Sequence, residues 1–127
     1  MNIKASKSSE NSGKVAKSSK ITIQVDRDEQ GFPVRMDWEA TDNPTVKGNQ
    51  ECKAMLLSLF DKEHKDTFKL DLWTKDMQVV EMDRFFYNTL KGMADSYFKA
   101  TQNHKLASNM QLFAKYFGEE TEILQRE

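Results

Sequence analysis

The feature that most constrains this chain is a change of hydrophobic period at Gln78. Before it, apolar residues alternate with polar ones. After it, Val79, Met82, Phe86, Leu90, Met93, Tyr97 and Ala100 recur every three or four residues, marking one face of a helix about six turns long. Glu81 and Asp83 near its start and Lys91 and Lys99 later complement the helix dipole, and Asp76 is placed to supply an N-terminal cap. Residues 101–104 break the pattern. A second helix follows, with Leu106, Met110, Phe113, Ala114 and Phe117 on one side and Gly118 as its expected stop.

Upstream, Ile21, Ile23 and Val25 alternate with Thr22, Gln24 and Asp26, the pattern of a half-buried strand. Residues 28–31 supply turn chemistry, and Val34, Met36 and Trp38 then alternate with Arg35, Asp37 and Glu39. The two segments read as a hairpin, with Pro33 tolerated at the start of its strand. Residues 41–50 read as a loop. Met55, Leu56, Leu59 and Phe60 also fit one side of a short helix, but the length of residues 53–60 and the polar turn at 61–66 favour a central strand. Residues 67–73 form a clear strand with Phe68, Leu70 and Leu72 inward, which leaves Trp73 on the opposite face.

Strands followed by helices give an α+β fold: a single domain with an antiparallel sheet of about four strands, then two C-terminal helices that cover one face or mediate self-association. The 127 residues have room for one core. The expected divisions are a disordered Lys/Ser-rich arm at 1–19, the folded domain at 20–118 and an acidic tail at 119–127.

Charge is uneven along the chain. Residues 1–20 carry five lysines against Glu10, a net +4, and the remainder, with 14 basic and 19 acidic residues, a net −5. Spaced lysines without arginines or aromatics are a weak footprint for nucleic acid or anionic lipid, so the arm is expected to solubilise. No apolar run approaches the ~20 residues of a membrane span, and no secretory leader is evident. Cys52 is the single cysteine, so no intramolecular disulfide can form. A cytoplasmic protein is expected.

No chemistry-bearing motif stands out. His64 falls in a polar turn, His104 in an interhelix link and Cys52 ahead of a strand, with no shared ligand spacing, so no metal and no cofactor is expected. A Gly-rich phosphate loop, a nucleophile elbow and a Cys/His pair are all missing, and no catalytic residue is assigned. Thr74-Lys75-Asp76 stands near a helix N-terminus, where backbone amides attract anions, but a capping Asp76 carboxylate would occupy them. Candidate partner contacts are therefore apolar: Trp73 at its strand end, and Phe85, Tyr87 and Phe98, which lie off the main helix face. Together with the Met and aromatic stripe they leave more apolar surface than one sheet covers, which a homo-oligomer or a protein partner would absorb.

The block Leu70-Asp71-Leu72-Trp73-Thr74-Lys75-Asp76-Met77, with Phe85-Phe86, Met93-Ala94-Asp95, Tyr97 and Ala100-Thr101-Gln102-Asn103, resembles the gliding motility protein GldC family over roughly residues 20–117. The sequence departs from that pattern at Gln78, where the family would have proline. The resemblance implies a soluble cytoplasmic accessory of the gliding and type IX secretion machinery, acting through protein contacts, with no catalytic residue or cofactor. The order of elements is also similar to that of the export chaperone SecB, which implies an alternative, a chaperone-like module for apolar peptide segments.

Overall fold

The computed structural model describes residues 13–125. Its elements are the strands β1 (Ile21–Arg27), β2 (Pro33–Ala40), β3 (Gln50–Cys52), β4 (Ala54–Phe60) and β5 (Thr67–Trp73), then the helices α1 (Val79–Thr101) and α2 (His104–Glu120). The fold is α+β, with five antiparallel strands in two small sheets followed by two helices. Backbone contacts divide the chain into a strand unit, residues 17–78, and a helical unit beginning at Val79. Residues 13–19 are exposed and outside any regular element; the rest of the expected N-terminal arm lies outside the described residues.

In the strand unit, β1 and β2 pair antiparallel with Ile23 opposite Trp38 and Val25 opposite Met36. This register puts the alternating apolar residues of both strands on one face, as a period of two requires. Met36, also paired with Cys52 of β3, is fully buried and is the centre of this small core. The opposite face is polar. There Asp37 is nonetheless buried, and Arg35 donates to it at 3.3 Å and to Glu51 at 2.7 Å.

The turn between β1 and β2 is built by Asp28. Its Oδ1 accepts from the amides of Gln30 at 2.9 Å and Phe32 at 3.0 Å, and Gly31 takes a φ of +89°, which only a residue without Cβ adopts without strain.

Residues 50–60 differ from the expected single central strand. A bend at Lys53 splits them, so that β3 pairs with β2 and β4 pairs with β5. The bend has a backbone cause: the Lys53 carbonyl accepts from the Thr74 amide at 2.8 Å, beyond the end of β5. One stretch of chain thereby serves two sheets, giving five strands where the alternation alone gave about four.

In the helical unit, α1 and α2 are joined by Gln102 and Asn103. Gln102 adopts a left-handed φ of +60°, and Asn103 caps α2 by accepting from the Leu106 amide at 3.1 Å. At the link the Phe98 and His104 rings meet edge to face at 5.9 Å; at the far end Tyr87 lies over Gly118. The helices therefore run antiparallel.

Two expected helix boundaries are corrected. Gly118 does not end α2: the helix continues to Glu120 with Thr121 at its C-cap, and the chain folds back so that the Leu124 amide donates to the Gly118 carbonyl at 2.9 Å. Gly118 is buried and serves packing, because a Cβ there would lie 2.7 Å from the Tyr87 ring and 2.9 Å from Leu124. Nor does Asp76 cap α1, which begins three residues later; its carboxylate accepts from the Thr74 hydroxyl at 2.5 Å.

Candidate interaction surfaces

The β4–β5 hairpin places Met55, Leu57 and Leu59 opposite Leu72, Leu70 and Phe68, six apolar side chains on one face of two strands. The expectation that Phe68 and Leu70 point into a core is corrected: both are more than half exposed, as is Leu59. Alternation assigns side chains to a face; it does not supply a layer to cover that face. Trp73 is opposite Ala54, on the other face with Leu56 and Phe60, and is about half exposed. Beside it on that face, Lys69 and Asp71 form an ion pair at 3.2 Å. The hairpin thus offers apolar surface on both sides.

Thr74 and Lys75 tie the end of this hairpin to its neighbours. Thr74 is buried, and the Lys75 amide donates to the Pro33 carbonyl at 3.2 Å. The Lys75 ammonium reaches Asp28 at 2.9 Å and lies 5.9 Å from the centre of the Phe32 ring. That contact, with the amides of Phe32 and Gln30, holds the Asp28 carboxyl below its ordinary value. Asp76 is lowered too, by the Thr74 hydroxyl and the nearby Lys53. The Thr-Lys-Asp segment is a structural clip, and the groups it presents to one another are already paired.

In the helical unit the seam between α1 and α2 consists of small residues. Ala94, Ala107, Ala114 and Gly118 are buried there, with Tyr87 as a large buried side chain beside them. Close approach of the helices displaces the larger apolar residues to one side of the pair. Leu90, Tyr97, Leu106, Met110 and Phe113 line a groove of about 420 Å³ there, and Met93 extends it. Met93, Leu106 and Phe113 are each about half exposed. The opposite side carries charge: Lys91, Asp95, Gln111 and Lys115, with Tyr87 and Leu124, line a second groove there. The long stripe beginning at Val79 is therefore not core, and Val79 itself is 78% exposed.

The four candidate contact residues separate accordingly. Tyr87 is withdrawn from solvent, with the Lys91 ammonium 5.2 Å above its ring, so its position is one of internal packing. Phe85 is half-buried and meets Phe86 edge to face at 6.0 Å. Phe98 is exposed near the interhelix link, and Trp73 is exposed at the end of β5. The structure does not bring the four together into one site. What residue-by-residue reading missed is the seam, although its signal is present: small residues at 107, 114 and 118, on the side of α2 facing Ala94, are the spacing of close helix packing.

Outside these surfaces, His64 and Asp61 occupy one another. His64 Nδ1 lies 2.8 Å from an Asp61 oxygen, and His64 amide and ring contacts hold that carboxyl low. Burial raises the Cys52 thiol, with Asp37 and Glu51 adding to the shift, the opposite of what an activated thiolate needs. Among the described residues no three His, Cys, Asp or Glu side chains converge as a metal site would require, and no helix is long and apolar enough to cross a membrane.

The family model for gliding motility-associated, GldC-like proteins matches residues 33–123. The chain belongs to the GldC-like family. The matched region of this GldC-like protein begins with β2 and runs beyond α2, so it includes the β4–β5 hairpin, the Thr-Lys-Asp clip and the small-residue seam. Strand β1 falls outside the match, although it pairs with β2 along its whole length. No match was found among curated proteins or among solved structures.

Proposed function

We propose that this GldC-like protein is a non-enzymatic cytoplasmic accessory of the gliding motility and type IX secretion machinery, and that it works by binding a protein component of that machinery. The observation that carries this reading is the family match over residues 33–123, which ties the chain to gliding motility. The surface best suited to the contact is the β4–β5 hairpin. Large aromatic anchors carry much of the binding energy at protein interfaces and contiguous exposed apolar patches mark them, and Trp73, Phe60 and Phe68 with Leu59 and Leu70 supply both on a short, two-sided element. The hairpin's strands are fixed by backbone pairing, so these residues are presented with little ordering cost on binding.

The test uses the full-length tagged chain in its native cells, with cross-linking followed by mass spectrometry of what is recovered from the soluble fraction. One gliding or secretion component is the expected product, and its recovery falls at least tenfold for a Leu70→Ser, Trp73→Ala double variant that retains wild-type circular dichroism. Unchanged surface spreading and unchanged secretion after deletion of the gene overturn the reading. So does recovery of many unrelated, partly unfolded chains, which is the behaviour of a general peptide-binding chaperone.

A further inference from the structure

We infer that the apolar side of the α1–α2 pair is a self-association surface, on which a second copy of this chain packs its own α1–α2 pair about a two-fold axis. The inference goes beyond the motility reading and is independent of it, since it uses neither the β4–β5 hairpin nor any machinery component.

The first argument is steric. Ala94, Ala107, Ala114 and Gly118 already bring the helices into close contact, so no further closing of the pair can bury Leu90, Met93, Tyr97, Leu106, Met110 and Phe113. A two-helix layer with its large apolar residues on one side is half of a four-helix arrangement.

The second argument is area. At about 1.5 Å per residue the helices are roughly 35 Å and 25 Å long, and side by side they are about 20 Å across, a projected footprint on the order of 600 Å². Stable interfaces bury about 600 to 1,000 Å² per partner. Accessible area exceeds projected area wherever side chains stand out, as Met93, Leu106 and Phe113 do at 53%, 48% and 52% exposure.

The third argument is charge. A two-fold contact sets one patch against itself, so a patch carrying one sign of charge repels its mate. The residues bordering this groove are Thr89, Ser96 and Asn109, neutral and hydrogen-bonding. The opposite side carries the charged groups Lys91, Asp95 and Lys115, whose desolvation a two-fold contact would have to offset. The residues of the apolar groove carry no such cost.

Sedimentation equilibrium and light scattering on the full-length protein, from 1 to about 200 μM, test this. The expected mass is twice the 14.7 kDa of the chain at the upper concentrations. Phe113→Glu is expected to weaken association at least a hundredfold and give a monomer, whereas Lys91→Glu on the polar side leaves the dimer intact. If Phe113→Glu loses its helical circular dichroism, Met93→Gln, exposed on the other helix, takes its place with an expected loss of about tenfold. A wild-type monomer throughout the range overturns the inference. So does a dimer that persists in both groove variants, or one lost equally in Lys91→Glu, because the contact then lies elsewhere.

Discussion

At the scale of single residues, two glycines on neighbouring helices show how packing decides the sign of one substitution. Gly92 is exposed within α1, and a Cβ added there meets nothing within 4 Å. Gly92→Ala is therefore expected to stabilise by about 0.5 to 1 kcal/mol, the difference in helix propensity. Gly118→Ala gains the same propensity but drives a methyl into the Tyr87 ring and Leu124, and overpacking of this kind costs about 1 to 3 kcal/mol. Its denaturant midpoint is expected to fall while that of Gly92→Ala rises. Met36, a large side chain with no exposure, gives the strand unit its own reporter: Met36→Ala is expected to cost about 2 to 5 kcal/mol in the same titration. Asp28 sets a pH dependence. Its folded pKa lies below the ordinary 3.8, so its stabilising effect is complete above that value and is lost as pH falls through the folded pKa. Asp28→Asn should accordingly flatten the acid limb of the stability curve below about pH 4, measured by thermal melts across pH.

At the scale of elements, the α1–α2 connection holds most of the local information in the helical unit. Asn103 gives α2 its first hydrogen bond, and its own amide donates to the Thr101 hydroxyl at 3.1 Å. Asn103→Ala is expected to cost about 1 kcal/mol, seen as a lower denaturant midpoint with an unchanged slope. Gln102 holds a left-handed conformation that glycine takes without penalty, so Gln102→Gly is expected to be neutral or stabilising in the same measurement. The break at these residues was legible in the sequence because a polar segment interrupts an apolar period. The start of α1 was less so: Asp76 has the right chemistry for a cap, but its carboxylate is claimed by the Thr74 hydroxyl three residues before the helix begins. The bend at Lys53 was invisible for a similar reason, since it depends on a hydrogen bond from Thr74, twenty-one positions away.

At the scale of the whole molecule, burial is sparse relative to the apolar content of the sequence. Among the described residues Met36 is the one large side chain that is completely buried, while Phe68, Leu70, Met93 and Phe113 are each about half exposed or more. Marginal domains gain stability from whatever covers such surface, and a contact made only by the folded state raises the melting temperature with concentration. The melting temperature of the wild-type chain is therefore expected to climb by several degrees between 1 and 200 μM. That of Phe113→Glu should stay level in differential scanning fluorimetry.

Local pattern was enough to read the family, the α+β order of strands and then helices, the β1–β2 hairpin, the face on which Trp73 lies and the position of the interhelix break. Each rests on local periodicity or on a contiguous motif, and both survive without knowledge of distant neighbours. Long-range packing set the division of the strands into two sheets, the burial of Tyr87 and Gly118 and the exposure of Phe68, Leu70 and Met93. Hydrophobic period tells which side of an element is apolar. Whether that side is buried depends on how closely the next element approaches, and here small residues at the helix seam left the large ones outside it.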